Sequence, residues 1–125
     1  MAFKSILIID DDEDFIFVVK KIVENLGHEL VSITNPKEAI VKLAQSTPNL
    51  ILLDLNMPQL RGEKILKIRS SLENVKKVPI IVCSGEIDEN IILNSFSLGA
   101  ADFIIKPISA TTLIQKIKKY ACEAP

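Results

Sequence analysis

Five polar residues stand directly after short apolar runs, at points far apart in the chain. They are the carboxylates Asp10, Asp11 and Asp54, the hydroxyl group of Ser84 and the amine of Lys106. Clustered carboxylates repel one another, and a hard divalent cation with oxygen ligands relieves that repulsion. Mg²⁺ suits such a site because it needs few protein ligands and binds phosphate oxygens. A carboxylate beside it can act as a nucleophile and form an acyl phosphate, with the lysine and the serine contacting the phosphoryl oxygens.

The apolar runs alternate with stretches of helical period, which predicts strands buried on both faces and joined by crossover helices. The predicted strands are Ser5–Ile9, Glu29–Ile33, 50–53, 78–83 and Asp102–Ile105. Parallel strands joined by right-handed crossovers form an open twisted sheet with helices on both faces. Because the carboxyl ends of such strands lie along one edge, the polar groups that follow them are expected to meet there.

Capping residues predict where four of the helices begin or end. Gly27 and Gly99 each follow a run of helical period and can adopt the left-handed conformation that closes a helix. Asn35 and Ser109 stand where a side-chain oxygen would cap the first turn of the second and fifth helices. A loop is predicted over residues 56–62, where proline and glycine interrupt the pattern.

Length and composition limit the kind of protein. The 125 residues, 48% apolar and 25% charged, predict one globular domain over residues 1–125. Fifteen basic and sixteen acidic residues give a net charge of -1, so direct nucleic-acid binding is not expected. No apolar run approaches the roughly 18 residues of a membrane span, and membrane insertion is not expected. Cys83 and Cys122 form no disulfide framework, which predicts a cytoplasmic location.

The order of these residues resembles the receiver domains of response regulators in two-component signalling. The shared motifs are IIDDDED at 8–14, LLDLNMP at 52–58, Gly62, IIVCSG at 80–85 and FIIKP at 103–107. The resemblance covers essentially the whole chain. It implies an α/β fold of the flavodoxin-like receiver type, a five-stranded parallel sheet in the order 2-1-3-4-5 flanked by five helices.

The resemblance also implies roles for the site residues, with Asp54 as the phosphoryl acceptor. The implied Mg²⁺ ligands are Asp10, Asp11, Asp54 and the backbone carbonyl of Asn56, and the implied phosphate contacts are Ser84 and Lys106. Phe103 occupies the aromatic switch position, and because it lacks a phenolic hydroxyl its coupling must rest on packing. The Lys106-Pro107 bond is cis in family members, and Pro107 is assigned to the switch together with Phe103. Asn56 and Glu86 match positions that tune the lifetime of the phosphoryl group.

The function that follows is a phosphate-accepting switch. The resemblance implies that a phosphohistidine on a histidine kinase or a histidine phosphotransfer protein donates the phosphoryl group to Asp54 in a Mg²⁺-dependent reaction. The expected output is a population shift on the face made by helix four, strand five and helix five, read by a downstream protein or by self-association as a homodimer. Such a domain, of the chemotaxis or relay type, is not expected to be an enzyme that turns over a free substrate.

Three other functions are compatible with the pattern. Mg²⁺-dependent phosphatases or phosphotransferases also use an aspartate nucleophile, but they usually pair it with a second Asp two residues on, where Asn56 stands here. A flavodoxin-like FMN carrier would have a phosphate loop rich in Ser, Thr and Gly, whereas residues 10–14 are acidic. A degenerate receiver that only binds protein is disfavoured by the intact acids, hydroxyl and lysine.

Taken alone, residues 10–14 also fit a solvated first helical turn, where negative charge suits the helix dipole.

Residues 15–19 are five consecutive apolar residues, more than one helical face buries. Ile16 and Phe17 are interpreted either as part of a docking surface for a helical phosphodonor or as a widened inward face. His28, the only histidine, is predicted to be a surface side chain, and Cys83 a small buried hydrophobe.

Overall fold

The computed structural model describes residues 4–57, 61–85 and 88–122, in which five parallel strands alternate with five α-helices. The strands are β1 Ser5–Ile9, β2 Glu29–Ile33, β3 Leu50–Asp54, β4 Ile80–Ser84 and β5 Asp102–Ile105. The helices are α1 Glu13–Asn25, α2 Pro36–Gln45, α3 Gly62–Ser70, α4 Glu89–Ser97 and α5 Ala110–Ile117, followed by a π-helical turn at Lys118–Cys122. The sheet order is β2-β1-β3-β4-β5, as predicted. Among the described residues, no helix combines the length and apolar character needed to cross a membrane.

The sheet is covered by helices on both faces, which explains why its strands are continuous apolar runs rather than alternating ones. In β1, Leu7 and Ile9 face one core and Ile6 and Ile8 face the other, and all four are essentially inaccessible to solvent. The first core includes buried residues of α2 and α3, and the second includes those of α1 and α5. Burial on both sides holds the strand ends in fixed positions.

The register aligns the carboxyl ends of the strands at one edge. Asp54 of β3 is paired with Cys83 of β4, and the next residue, Ser84, is paired with Ile105 of β5. Lys106 then donates its backbone N–H to the Ser84 carbonyl at 2.8 Å. The last residues of neighbouring strands therefore lie within one or two positions of each other.

The predicted caps are confirmed. The side chain of Asn35 caps α2 by accepting from the Lys37 N–H at 3.0 Å. The hydroxyl of Ser109 caps α5 by accepting from the Thr112 N–H at 3.1 Å. Gly27 and Gly99 follow the ends of α1 and α4 with φ of +82° and +106°. These positive φ values are readily adopted only by glycine.

Strand boundaries differ from the sequence prediction at the site. β4 begins at Ile80 and not at residue 78, because Pro79 has no N–H to donate to a neighbouring strand. The Pro79 carbonyl still accepts from the Ile51 N–H at 3.0 Å. β3 and β4 each extend one residue further, so Asp54 and Ser84 are the last residues of their strands. Residues 58–60 of the predicted loop lie outside the described part of the chain.

One surface prediction is wrong, and at Ile16 the structure decides between two open alternatives. His28 was expected on the surface but is buried just before β2. Its Nδ1 accepts from the Lys4 N–H at 3.2 Å, and this hydrogen bond offsets part of the cost of burying a polar ring. Ile16 is buried within α1, which confirms the widened inward face at that position. Phe17 and Val18 remain 61% and 48% exposed. Cys83 is buried as predicted.

Gly62, the first residue of α3, allows a close approach between that helix and the segment after β3. A Cβ atom at Gly62 would lie 2.6 Å from Leu55 Cδ2 and 2.8 Å from Leu55 Cα. We expect Gly62→Ala to lower the free energy of unfolding by about 1–3 kcal/mol in urea denaturation, because backbone must shift to admit the methyl group. Gly85→Ala is the matched control, since a Cβ there meets nothing within 4 Å. Equal losses in both variants would contradict the steric explanation.

Candidate functional site

Three carboxylates meet at the carboxyl edge of the sheet. Asp10 and Asp11 follow β1, Asp54 ends β3, and one oxygen from each lies within 4.8 Å of the others. Asp10 and Asp54 are buried, while Asp11 is exposed. The convergence predicted from the strand ends is therefore present in the structure.

Lys106 faces this acidic cluster from the end of β5. Its Nζ lies 2.8 Å from Asp10 Oδ2 and 3.9 Å from Asp12 Oδ2. Burial alone would lower the pKa of Lys106, but the hydrogen bond and charge of Asp10 outweigh it and raise that pKa. The amine is therefore held as an ammonium ion that points into the cluster.

The Asp54 carboxyl group lies in an unfavourable environment for its charge. Burial, followed by the neighbouring charge of Asp10, raises the pKa of Asp54 to about 6, although the Asn56 N–H and Lys106 act in the opposite direction. The Asn56 N–H donates to Asp54 Oδ1 at 3.0 Å and fixes the orientation of the carboxyl group. An additional positive charge would stabilise the ionised form.

Ser84 and Asn56 are joined directly. The Asn56 side-chain Nδ2 donates to Ser84 Oγ at 2.9 Å, and Ser84 is buried at the end of β4. The serine hydroxyl therefore lies on the strand next to the one that carries Asp54, where the sequence predicted it. Asn56 has a side-chain contact in addition to the backbone role that the resemblance implies.

The two predicted switch residues occupy β5 and the residues just after it. Phe103 is half-buried against the core on the α2 and α3 side of the sheet. The Lys106-Pro107 peptide bond is cis, as the resemblance implied. Glu86, which matches a position that tunes the lifetime of the phosphoryl group, lies outside the described residues.

Two residues at the N-terminal end of α1, its N-cap and one residue of its first turn, belong to the site but were not assigned to it from the sequence. Asp12 caps α1 by accepting from the Phe15 N–H at 3.1 Å, and its second oxygen faces Lys106. The Phe15 ring lies under the Lys106 ammonium, 4.4 Å from Nζ to the ring centroid. The position of Asp12 before a run of helical period signals a cap. Nothing in the sequence pairs Phe15 with a lysine 91 positions away.

The donor set fits Mg²⁺. All three candidate ligands are hard carboxylate oxygens, and their separation of up to 4.8 Å is close to twice a Mg–O distance of about 2.1 Å. Asp11 is exposed, so the cluster is accessible from solvent. Few protein ligands and open access to water are what this ion ordinarily requires.

The fold and the site together define a flavodoxin-like α/β domain with an acidic edge whose three carboxylates could hold a metal ion. The family model described as "Response regulator receiver domain" matches residues 6–118, and the chain belongs to that family. It is thus a receiver domain of two-component signalling, a phosphoryl-accepting module.

Individual relatives agree with this assignment. The chain is 29% identical over 117 residues to the chemotaxis protein CheY of Thermotoga maritima, covering 93% of this chain and 96% of that one. It is 31% identical over 122 residues to the transcriptional regulatory protein CrdR of Helicobacter pylori, covering 98% of this chain but only 57% of CrdR.

A solved structure shows the same fold. The receiver domain of the sensor histidine kinase PA1611 from Pseudomonas aeruginosa PAO1 superposes with a TM-score of 0.87, at 21% identity over 98% of this chain and 100% of that one. That structure is described with a magnesium ion coordinated in its active-site cleft.

The raised pKa of Asp54 predicts a pH dependence of stability in the absence of divalent cations. A carboxyl group whose pKa rises from 3.8 to about 6 on folding stabilises the fold at low pH, and this contribution is lost as the pH rises through 6. Asp54→Asn should therefore gain about 1–2 kcal/mol over the parent between pH 4 and pH 7, allowing for solvent screening. Urea denaturation in EDTA across this range measures the difference. A difference that does not change with pH would contradict the raised pKa.

Proposed function

We propose that Asp54 accepts a phosphoryl group from a phosphohistidine on a histidine kinase or a histidine phosphotransfer protein, in a Mg²⁺-dependent reaction. The observation that carries this proposal is the meeting of Asp10, Asp11 and Asp54 opposite Lys106. In the transfer, a carboxylate oxygen of Asp54 forms a bond to phosphorus while the phosphorus–nitrogen bond of the donor breaks and its electron pair stays on the imidazole. Water later hydrolyses the acyl phosphate.

The chain contributes positioning and charge to this reaction. Asp10, Asp11, Asp54 and the Asn56 carbonyl would hold Mg²⁺. When bound, the ion would supply positive charge to the phosphoryl oxygens. Lys106 adds a second positive charge beside the cluster, where Asp10 already orients it. Such charge stabilisation is the main contribution a protein makes to phosphoryl transfer.

The proposed output travels through β4 and β5. New phosphoryl oxygens would attract Ser84 away from its contact with Asn56, and Lys106 away from Asp10. Phe103 would then repack, because it lies in β5, the strand that Lys106 directly follows. Three large apolar side chains are exposed on α4 and β5 and support a protein-binding face there: Leu93, Phe96 and Ile105.

Several parts of the proposal rest on the sequence. Near-neutral charge and cysteine usage favour a cytoplasmic domain without direct nucleic-acid contact. A homodimer and a downstream protein both remain predicted readouts. We infer that the domain is not a conventional enzyme, since Asn56 stands where aspartate-based phosphatases carry a second Asp.

The acceptor can be tested with a small phosphodonor. We expect phosphoramidate and Mg²⁺ to give one phosphoryl adduct on the parent by intact mass spectrometry, and none on Asp54→Asn or in EDTA. Lys106→Ala should slow adduct formation by about 10²-fold or more, as losses of preorganised charge do. If hydrolysis removes the adduct too fast to observe, binding of beryllofluoride to the parent but not to Asp54→Asn replaces the readout. An adduct of equal yield on Asp54→Asn would exclude Asp54, and multiple turnover of a small phosphate ester would favour the phosphatase alternative.

Docking of the phosphodonor can be tested separately. With Ile16 buried, the proposed docking surface reduces to Phe17 and its exposed neighbour Val18 on α1. Phe17→Lys should slow transfer from a phosphohistidine protein by about tenfold, as the loss of an apolar anchor does, and leave the phosphoramidate rate unchanged. Val41→Lys is the control, because Val41 is 56% exposed on α2. Unaltered transfer to Phe17→Lys would remove Phe17 from the docking surface.

A further inference from the structure

The Lys106 ammonium lies close to two carboxylates and one aromatic ring. Its Nζ lies 2.8 Å from Asp10 Oδ2, 3.9 Å from Asp12 Oδ2 and 4.4 Å from the centroid of the Phe15 ring. The Lys106 side chain is only 16% exposed, so water competes little for the cation. Attraction between an ammonium ion and an aromatic face is strongest when the cation is desolvated in this way.

The Phe15 ring is held in place by the fold. Phe15 lies in the first turn of α1, and its N–H donates to the Asp12 side chain at 3.1 Å. Its side chain is 9% exposed and packs in the core that α1 shares with α5. A ring packed in this way cannot leave the ammonium without disturbing the core.

The ring and the carboxylates affect Lys106 differently. Asp10 belongs to the group of acids that would hold Mg²⁺, so with the ion bound its negative charge would be divided between two cations. The ring carries no net charge, is not a ligand for a hard cation and leaves the positive charge of the lysine intact. It can therefore orient the ammonium while leaving it available to a phosphoryl group.

We propose that Phe15 is a positioning residue for the reaction of Asp54: its ring holds the Lys106 ammonium where it meets the incoming phosphoryl oxygens. This inference rests on the proposed function. It assigns to Phe15 a role that is exerted through Lys106.

Kinetics with phosphoramidate and Mg²⁺ test the proposal. Phe15→Leu keeps an apolar side chain but removes the ring, and should slow Asp54 phosphorylation by about three- to tenfold, the range a cation–π contact supplies. Phe15→Tyr keeps the ring and should retain the parent rate. In a Lys106→Ala background, Phe15→Leu should cause no further loss, because the group through which it acts is gone.

Loss of core packing is controlled in the same assay. Val19 is fully buried one turn further along α1 in the same core, so Val19→Ala destabilises the fold without removing the ring. It should leave the phosphorylation rate unchanged. If Phe15→Leu reacts at the parent rate, or slows the reaction equally in the Lys106→Ala background, the positioning role is wrong.

Nuclear magnetic resonance provides a readout that needs no folded Phe15 variant. Protons on the carbon beside Nζ of Lys106 should be shifted upfield by the ring in the parent protein, and are assigned by their disappearance in Lys106→Ala. Ordinary chemical shifts for these protons would overturn the positioning role. The two proposals fail on different observations. A parent protein that forms no Asp54 adduct and binds no beryllofluoride refutes the proposed function. The upfield shift of the Lys106 protons would still be present in that case.

Discussion

The carboxylates of Asp10, Asp11 and Asp54 repel one another, yet the parallel sheet holds their oxygens within 4.8 Å. Two of the three are buried, so water cannot screen the repulsion effectively. Backbone pairing between β1 and β3 and apolar packing on both sheet faces keep the carboxylates together. The fold thus maintains a concentration of negative charge that a cation can relieve.

Lys106 provides part of that relief and links the site to β5. Its ammonium faces Asp10, and its backbone N–H donates to the Ser84 carbonyl at 2.8 Å. The other end of β5 is fixed differently, because Asp102 binds Lys116 of α5 at 2.7 Å and the hydroxyl of Tyr120 at 3.0 Å. One end of the strand is therefore tied to α5 while the other contacts the acidic site. A change at Lys106 acts on a strand anchored at its far end.

Most of the fold could be predicted because its strands are short apolar runs buried on both faces. Glu29–Ile33 and Asp102–Ile105 have the predicted bounds, and helix ends follow glycine and capping side chains. One prediction failed where a polar side chain takes a buried position. His28 is buried, and its Nδ1 accepts from the Lys4 N–H. Residue type alone places a histidine at or near the surface, and the partner that satisfies this one is 24 positions away in sequence.

The sequence by itself determined the acidic edge, since Asp10, Asp54 and Lys106 each follow an apolar run and parallel strands end at one edge. Only the tertiary structure decided how the lysine is held. Its contacts with Asp12 and the Phe15 ring connect the residue after β5 to the N-terminal end of α1, and no periodicity encodes a distance between these two places. Local patterns record which face of an element is apolar, whereas the packing of two elements against each other decides which side chains meet.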